Sequence, residues 1–110
     1  MNSYDILKEL ENKVNANDSV KSELKGSSKI LQFDVGGNKY YLQILENGSI
    51  ALKSGTNPTP NVTIMASDEV MQDILTGKMD GTKAFFEGKI KFTGDIFLSQ
   101  KLINAVKKAI

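Results

Sequence analysis

The chain contains no cysteine, no histidine, no tryptophan and no arginine; all fourteen basic residues are lysines. Each absence removes a class of chemistry. Without cysteine there are no disulfides, no thiol nucleophile and no thiolate metal site, a composition that fits a reducing compartment. Without histidine there is no Ser-His relay and no imidazole cage for a metal. Without arginine there is no bidentate clamp for phosphate or guanine. No apolar run approaches the length of a membrane span. The N-terminus, Met1-Asn2-Ser3-Tyr4-Asp5, carries neither the basic nor the apolar segment of a secretory signal. Three Asn-x-Ser/Thr triplets therefore carry little weight as glycosylation acceptors.

What remains is the composition of a small globular protein. At 110 residues, with 40% hydrophobic and 25% charged side chains, one domain spanning residues 1–110 is expected. The net charge of +1 is unevenly spread. Residues 1–76 hold seven lysines against ten acids, whereas residues 77–110 hold seven lysines against three acids. Solvated lysines on a helix and a strand face explain this simply. The same excess would also suit transient contact with an anionic membrane surface.

Periodicity orders the chain. Leu7, Leu10 and Val14 mark a first helix over residues 3–14, and Ser19–Leu24, with Asp18 as its cap, a short second one. Three strands follow, Ile30–Val35, Lys39–Glu46 and Ser49–Lys53. They are joined by Gly36-Gly37-Asn38 and by the hairpin signal Asn47-Gly48, as an antiparallel meander. In the first of them Leu31, Phe33 and Val35 face one way, Gln32 and Asp34 the other. After a loop holding both prolines comes a fourth strand, Val62–Ala66. Ser67 caps a helix striped by Val70, Met71, Ile74 and Leu75. A short helix over Gly81–Glu87, capped by Asp80, leads to a fifth strand, Lys89–Thr93. Gly94-Asp95 opens a last helix with the stripe Leu98, Leu102, Ile103, Val106 and Ile110. The order predicts an α+β fold, a five-stranded sheet with helices on one face.

Few motifs carry chemistry. No glycine cluster satisfies a phosphate-binding loop, so turn and cap roles account for the glycines. The acids of the C-terminal half sit at caps or on polar helix faces. Lys89 and Lys91 alternate with Ile90 and Phe92, which puts the aromatic opposite the lysines and argues against a nucleic-acid platform. Met71, Met79, Phe85, Phe86, Phe92 and Phe97 cluster late in the chain on short, glycine-bounded elements. By spacing alone that cluster reads as core, with a cavity as the alternative.

The stretch Thr76-Gly77-Lys78-Met79-Asp80, Ala84-Phe85-Phe86-x-Gly88-Lys89-Ile90-Lys91-Phe92-x-Gly94-Asp95, then Lys101-Leu102 resembles the signature of the sterol carrier protein 2 domain family. The likeness runs from about Ile30 to Val106. It implies a five-stranded mixed sheet under helices, with a hydrophobic tunnel between the layers. It also implies non-covalent binding of a fatty acid, acyl-CoA, phospholipid or sterol, with neither cofactor nor catalysis. Under this resemblance the lipid-binding residues are expected to be Met71, Ile74, Leu75, Met79, Phe85, Phe86, Phe92, Phe97, Leu98, Leu102, Ile103 and Val106. Lys78 or Lys101 would assist a head group at the mouth. Three departures from the pattern stand out. Gly81, where proline is common, implies a looser entry to the short helix. Phe97 implies a narrowed tunnel that favours one acyl chain over a sterol. The C-terminal Lys107-Lys108-Ala109-Ile110 lacks a Ser-Lys-Leu peroxisomal address, so a free-standing, cytoplasmic domain is expected. A structural or protein-interaction module with a side-chain-filled core is the competing expectation.

Overall fold

A computed structural model describes residues 1–109. The elements run α1 (Ser3–Asn15), α2 (Asp18–Leu24), β1 (Ile30–Val35), β2 (Asn38–Ile44) and β3 (Ile50–Ser54). They continue with β4 (Val62–Ala66), α3 (Asp68–Leu75), α4 (Gly81–Phe86), β5 (Ile90–Gly94) and α5 (Ile96–Lys107). The five strands form one sheet in the order β3-β2-β1-β4-β5. β1 and β4 pair in parallel and the other neighbours are antiparallel, so the sheet is mixed.

Register lines up the apolar residues. Leu52, Leu42, Leu31 and Val62 form one row across the sheet; Tyr40, Phe33, Ile64 and Phe92 form the next. These side chains meet Leu7, Leu10 and Val14 of α1, and Met71, Ile74 and Leu75 of α3, in one buried core. Two glycines permit close approach. A Cβ on Gly48 (φ 89°) would lie 1.8 Å from the Lys21 carbonyl oxygen of α2, where the hairpin turn presses on that helix. A Cβ on Gly94 (φ 98°) would lie 2.5 Å from the Asn61 carbonyl oxygen, so the Gly94-Asp95 pair is tied to the packing of β5 on the start of β4.

Caps fix the helix starts. Asn2 and Asp5 form a reciprocal capping box on α1. Ser67, Asp80 and Asp95 cap α3, α4 and α5. Asp80 accepts from both Thr82 N and Lys83 N, at 2.8 and 3.1 Å, which fastens the entry that Gly81 was expected to loosen. The cap of α2 is Asn17 rather than Asp18, because its side chain reaches Val20 N. Gln32 lies, as alternation placed it, on the face away from Leu31, Phe33 and Val35. It is buried, since the loop after β3 folds over it. Its amide donates to Tyr40 O and Gly55 O, both at 3.1 Å, and accepts from Asn57 N at 2.8 Å. Ile110, placed in the last helix's stripe on spacing, lies outside the described residues.

α1 lies along the edge strand β3 and closes it. Asn15 accepts from Ile50 N at 2.8 Å and donates to Ile50 O at 2.9 Å, and Glu11 accepts from Leu52 N. An edge strand's free backbone groups are thus satisfied by side chains. The start of α1 is anchored as firmly. Ser3 is fully buried; its hydroxyl donates to Asp68 at 2.6 Å and lies 2.7 Å from the Tyr40 hydroxyl. Ser3 N and Gln72 also donate to Asp68. The Ser3 hydroxyl, then the Gln72 amide and Ser3 N–H, hold the Asp68 carboxyl below its usual range against a smaller opposing effect of burial. Burial, chiefly, pushes the Tyr40 hydroxyl up to about 12.

Candidate functional site: a cavity between the sheet and the last helices

At the opposite end of the sheet the layers do not close. A cavity of about 270 Å³ lies between α3, α4, β5 and α5. Its inner wall is Met71 and Ile74 from α3 and Ile90 and Phe92 from β5; Phe85 of α4 completes the aromatic side. Phe85 stands 5.5 Å from Phe92 and 5.6 Å from Phe86, ring centre to ring centre. α5 supplies Ile96, Phe97, Ser99, Gln100, Ile103, Asn104 and Lys107.

Of the twelve residues expected to bind lipid, the structure brings seven to this cavity: Met71, Ile74, Phe85, Phe86, Phe92, Phe97 and Ile103. Phe86 and Phe97 are 80% and 82% exposed, so they form its rim. Phe97 is therefore not a constriction inside the lumen. The other five lie outside the wall. Leu75, Leu102 and Val106 are buried in the core, and Met79 and Leu98 pack against it. The reason is helical geometry. On α5 the residues at 98, 102 and 106 turn into the core, while those at 96, 99/100, 103 and 107 follow the adjacent stripe along the cavity.

That second stripe is partly polar and holds what periodicity missed. Ser99 is fully buried, lines the cavity, and its hydroxyl has no hydrogen-bond partner among the described residues. Gln100 donates to the Thr82 hydroxyl at 2.7 Å, tying α5 to α4 beside the opening. Lys107 donates to Ile74 O at 3.0 Å, at the last turn of α3. Lys107 and Asp80 are the charged residues of the wall; Lys78 and Lys101 are exposed and outside it. Such an arrangement binds an apolar chain by burial and offers few polar contacts. Among the described residues no group of three or more acids is placed to hold a metal ion.

The family model for the SCP-2 sterol transfer family matches residues 7–107, nearly all of this chain. The chain belongs to that family. Within the SCP-2 sterol transfer family it is 48% identical, over 59 residues, to the peroxisomal multifunctional enzyme A of Dictyostelium discoideum, covering 53% of this chain and 13% of that protein. It is 29% identical over 104 residues to sterol carrier protein 2 of Bos taurus, covering 90% of this chain and 19% of that protein. The chain thus spans less than a fifth of the length of these relatives. The fold matches the solution structure of palmitated SCP2L2 from Aedes aegypti, with a TM-score of 0.73 at 21% identity, over 96% of this chain and 95% of that one. Residues 1–109 contain no helix long and apolar enough to cross a membrane.

Proposed function

We propose that residues 1–110 act as one domain that carries a single-chain lipid, such as a fatty acid or acyl-CoA, in the cavity between α3, α4, β5 and α5, without catalysis of its own. The observation that carries this reading is the cavity itself, which sits in the family fold and is walled by Met71, Ile74, Phe85, Ile90, Phe92 and Ile103. Its volume of about 270 Å³ lies near the lower end of ligand pockets, which favours one acyl chain over the bulk of a sterol. Each methylene buried contributes about 0.8 kcal/mol, so a dozen outweigh the cost of ordering a flexible chain. The palmitated mosquito protein supports the same ligand class. Lys107 in the wall is the cation best placed for an acidic head group, in preference to Lys78 or Lys101. A cysteine-free chain suits the cytoplasm, and microscopy of the tagged protein, scored against a peroxisomal marker, tests that placement.

Displacement of a fluorescent fatty acid tests the ligand. Palmitate and palmitoyl-CoA are expected to displace it and cholesterol to do so poorly. Ile103→Trp should fill the cavity and weaken palmitate by at least about tenfold, the equivalent of two excluded methylenes. If no lipid displaces the probe, and none co-purifies by native mass spectrometry, the interaction-module reading replaces this one.

A further inference from the structure

The cavity's rim is unlike the rest of the surface. Among the described residues four large hydrophobic side chains are exposed: Met1, Leu45, Phe86 and Phe97. The two phenylalanines are the most exposed of the four, and both border the cavity. An exposed apolar side chain on its own is ordinary; two aromatics framing one opening form a patch. Each has an exposed lysine one helical turn away. Lys83 precedes Phe86 by three residues on α4, and Lys101 follows Phe97 by four on α5.

The charges around the opening are asymmetric. Lys83 and Lys101 have no salt-bridge partner among the described residues, whereas Lys91 alternates with Phe92 onto the other face of β5 and Lys89 pairs with Glu87 at 3.4 Å. The remaining acids of this region, Asp80 and Asp95, spend their carboxylates on the N-caps of α4 and α5. The rim therefore presents two exposed aromatics, each with an unpaired lysine one helical turn away.

We propose that this rim is a docking surface for an anionic lipid bilayer. Phe86 and Phe97 enter the boundary between head groups and acyl chains, while Lys83 and Lys101 lie at the level of the phosphates. Aromatic side chains flanked by lysines suit that interface, because the rings bury apolar surface and the ammonium groups meet the anionic head groups. Docking in this pose would turn the cavity toward the membrane, so that an acyl chain could pass between them without crossing water. The purpose of the surface rests on the carrier reading; its affinity for a bilayer does not.

The absence of tryptophan makes the test direct, since Phe86→Trp and Phe97→Trp each introduce a single reporter. With phosphatidylglycerol–phosphatidylcholine vesicles, both variants are expected to shift their emission to the blue and to be quenched by brominated acyl chains. Pure phosphatidylcholine should give a much weaker response. By vesicle sedimentation, Phe86→Asp and Phe97→Asp should each lower partitioning about tenfold, and Lys83→Glu and Lys101→Glu at least roughly fivefold each. Circular dichroism checks that each variant is folded. Unchanged emission of both tryptophan variants overturns the proposal, as does partitioning that survives the aspartate and glutamate substitutions. Self-association without vesicles that disappears in the aspartate variants also overturns it, by assigning the rim to a second copy of the chain. Fatty-acid displacement in vesicle-free solution separates the two readings. Lipid uptake without vesicle binding refutes the docking surface alone, and vesicle binding without lipid uptake supports the docking surface while refuting the carrier.

Discussion

The two ends of the sheet solve opposite problems with the same materials. At the β3 edge, α1 is pressed onto the strand, Glu11 and Asn15 satisfy its backbone, and Ser3, Tyr40, Asp68 and Gln72 form one connected hydrogen-bond network. At the β5 edge no described side chain bonds to the strand's backbone, a buried serine hydroxyl has no partner among the described residues, and an apolar cavity remains between the layers. Among the described residues, 77–109 add only Ala84, Ile90, Leu102, Ala105 and Val106 to the buried hydrophobic core. The space beside Ser3, Tyr40 and Asp68 is an open, polar surface cleft, whereas the space at the β5 end is a more enclosed, apolar cavity between the layers. An apolar stripe at helical spacing is common to both; what differs is whether polar side chains complete the seal.

The largest effect that tests this contrast is truncation at each end. Leu10→Ala at the closed end should cost about 2–5 kcal/mol in denaturant unfolding, because it leaves a cavity in packed core. Phe86→Ala at the open rim should change stability by no more than about 0.5 kcal/mol. Comparable costs would erase the distinction.

A smaller effect follows from titration. The Asp68 carboxyl is depressed in the folded protein, so its contribution is complete above its ordinary 3.8 and is lost as pH falls through the lower folded value. Asp68→Asn should cost about 1–2 kcal/mol at neutral pH and lose this part of the acid dependence, as read by urea midpoints across acidic pH. The Tyr40 hydroxyl is raised, so stability should decline as pH rises from its ordinary 10.0 to about 12, and Tyr40→Phe should flatten that limb.

The smallest effect has the sharpest sign. Ser3→Ala should destabilise, because it strands Asp68 and Tyr40. Ser99→Ala should be neutral or stabilise by up to about 1 kcal/mol, read as an unchanged or higher melting temperature, because it removes a buried hydroxyl with no partner among the described residues. The same substitution on two fully buried helical serines would then act in opposite directions, with helix propensity favouring alanine in both. A loss at Ser99 equal to that at Ser3 would show that the open end is closed after all.

Much of this fold was legible from local chemistry. Alternation in Ile30–Val35 and the caps at Ser67, Asp80 and Asp95 act over a few residues and appear where spacing put them, whereas the hairpin signalled by the two residues Asn47-Gly48 closes as a three-residue loop that takes in Glu46, with Leu45 facing Ser49. The resemblance carried by Thr76 to Asp95 supplied the sheet's mixed character, which rests on the long-range parallel pairing of β1 with β4 that no periodicity encodes. Alternation placed Gln32 on the face away from Leu31, Phe33 and Val35 but carried no sign of the distant loop that covers it. The cavity was half legible. Stripe spacing marks Leu75, Leu102 and Val106 as apolar but does not say which stripe meets the core and which meets a void. Ser99, Gln100 and Lys107 belong to the second stripe, and their polarity hid it.

The most direct test is a methyl and amide NMR titration of the protein with palmitate. The carrier account predicts shifts confined to one end of the molecule, at Met71, Ile74, Ile90, Phe92, Ser99 and Ile103, with Leu7, Leu10, Val14 and Leu42 unmoved. Shifts centred on those four closed-end residues, or no shifts at saturating palmitate, would contradict it.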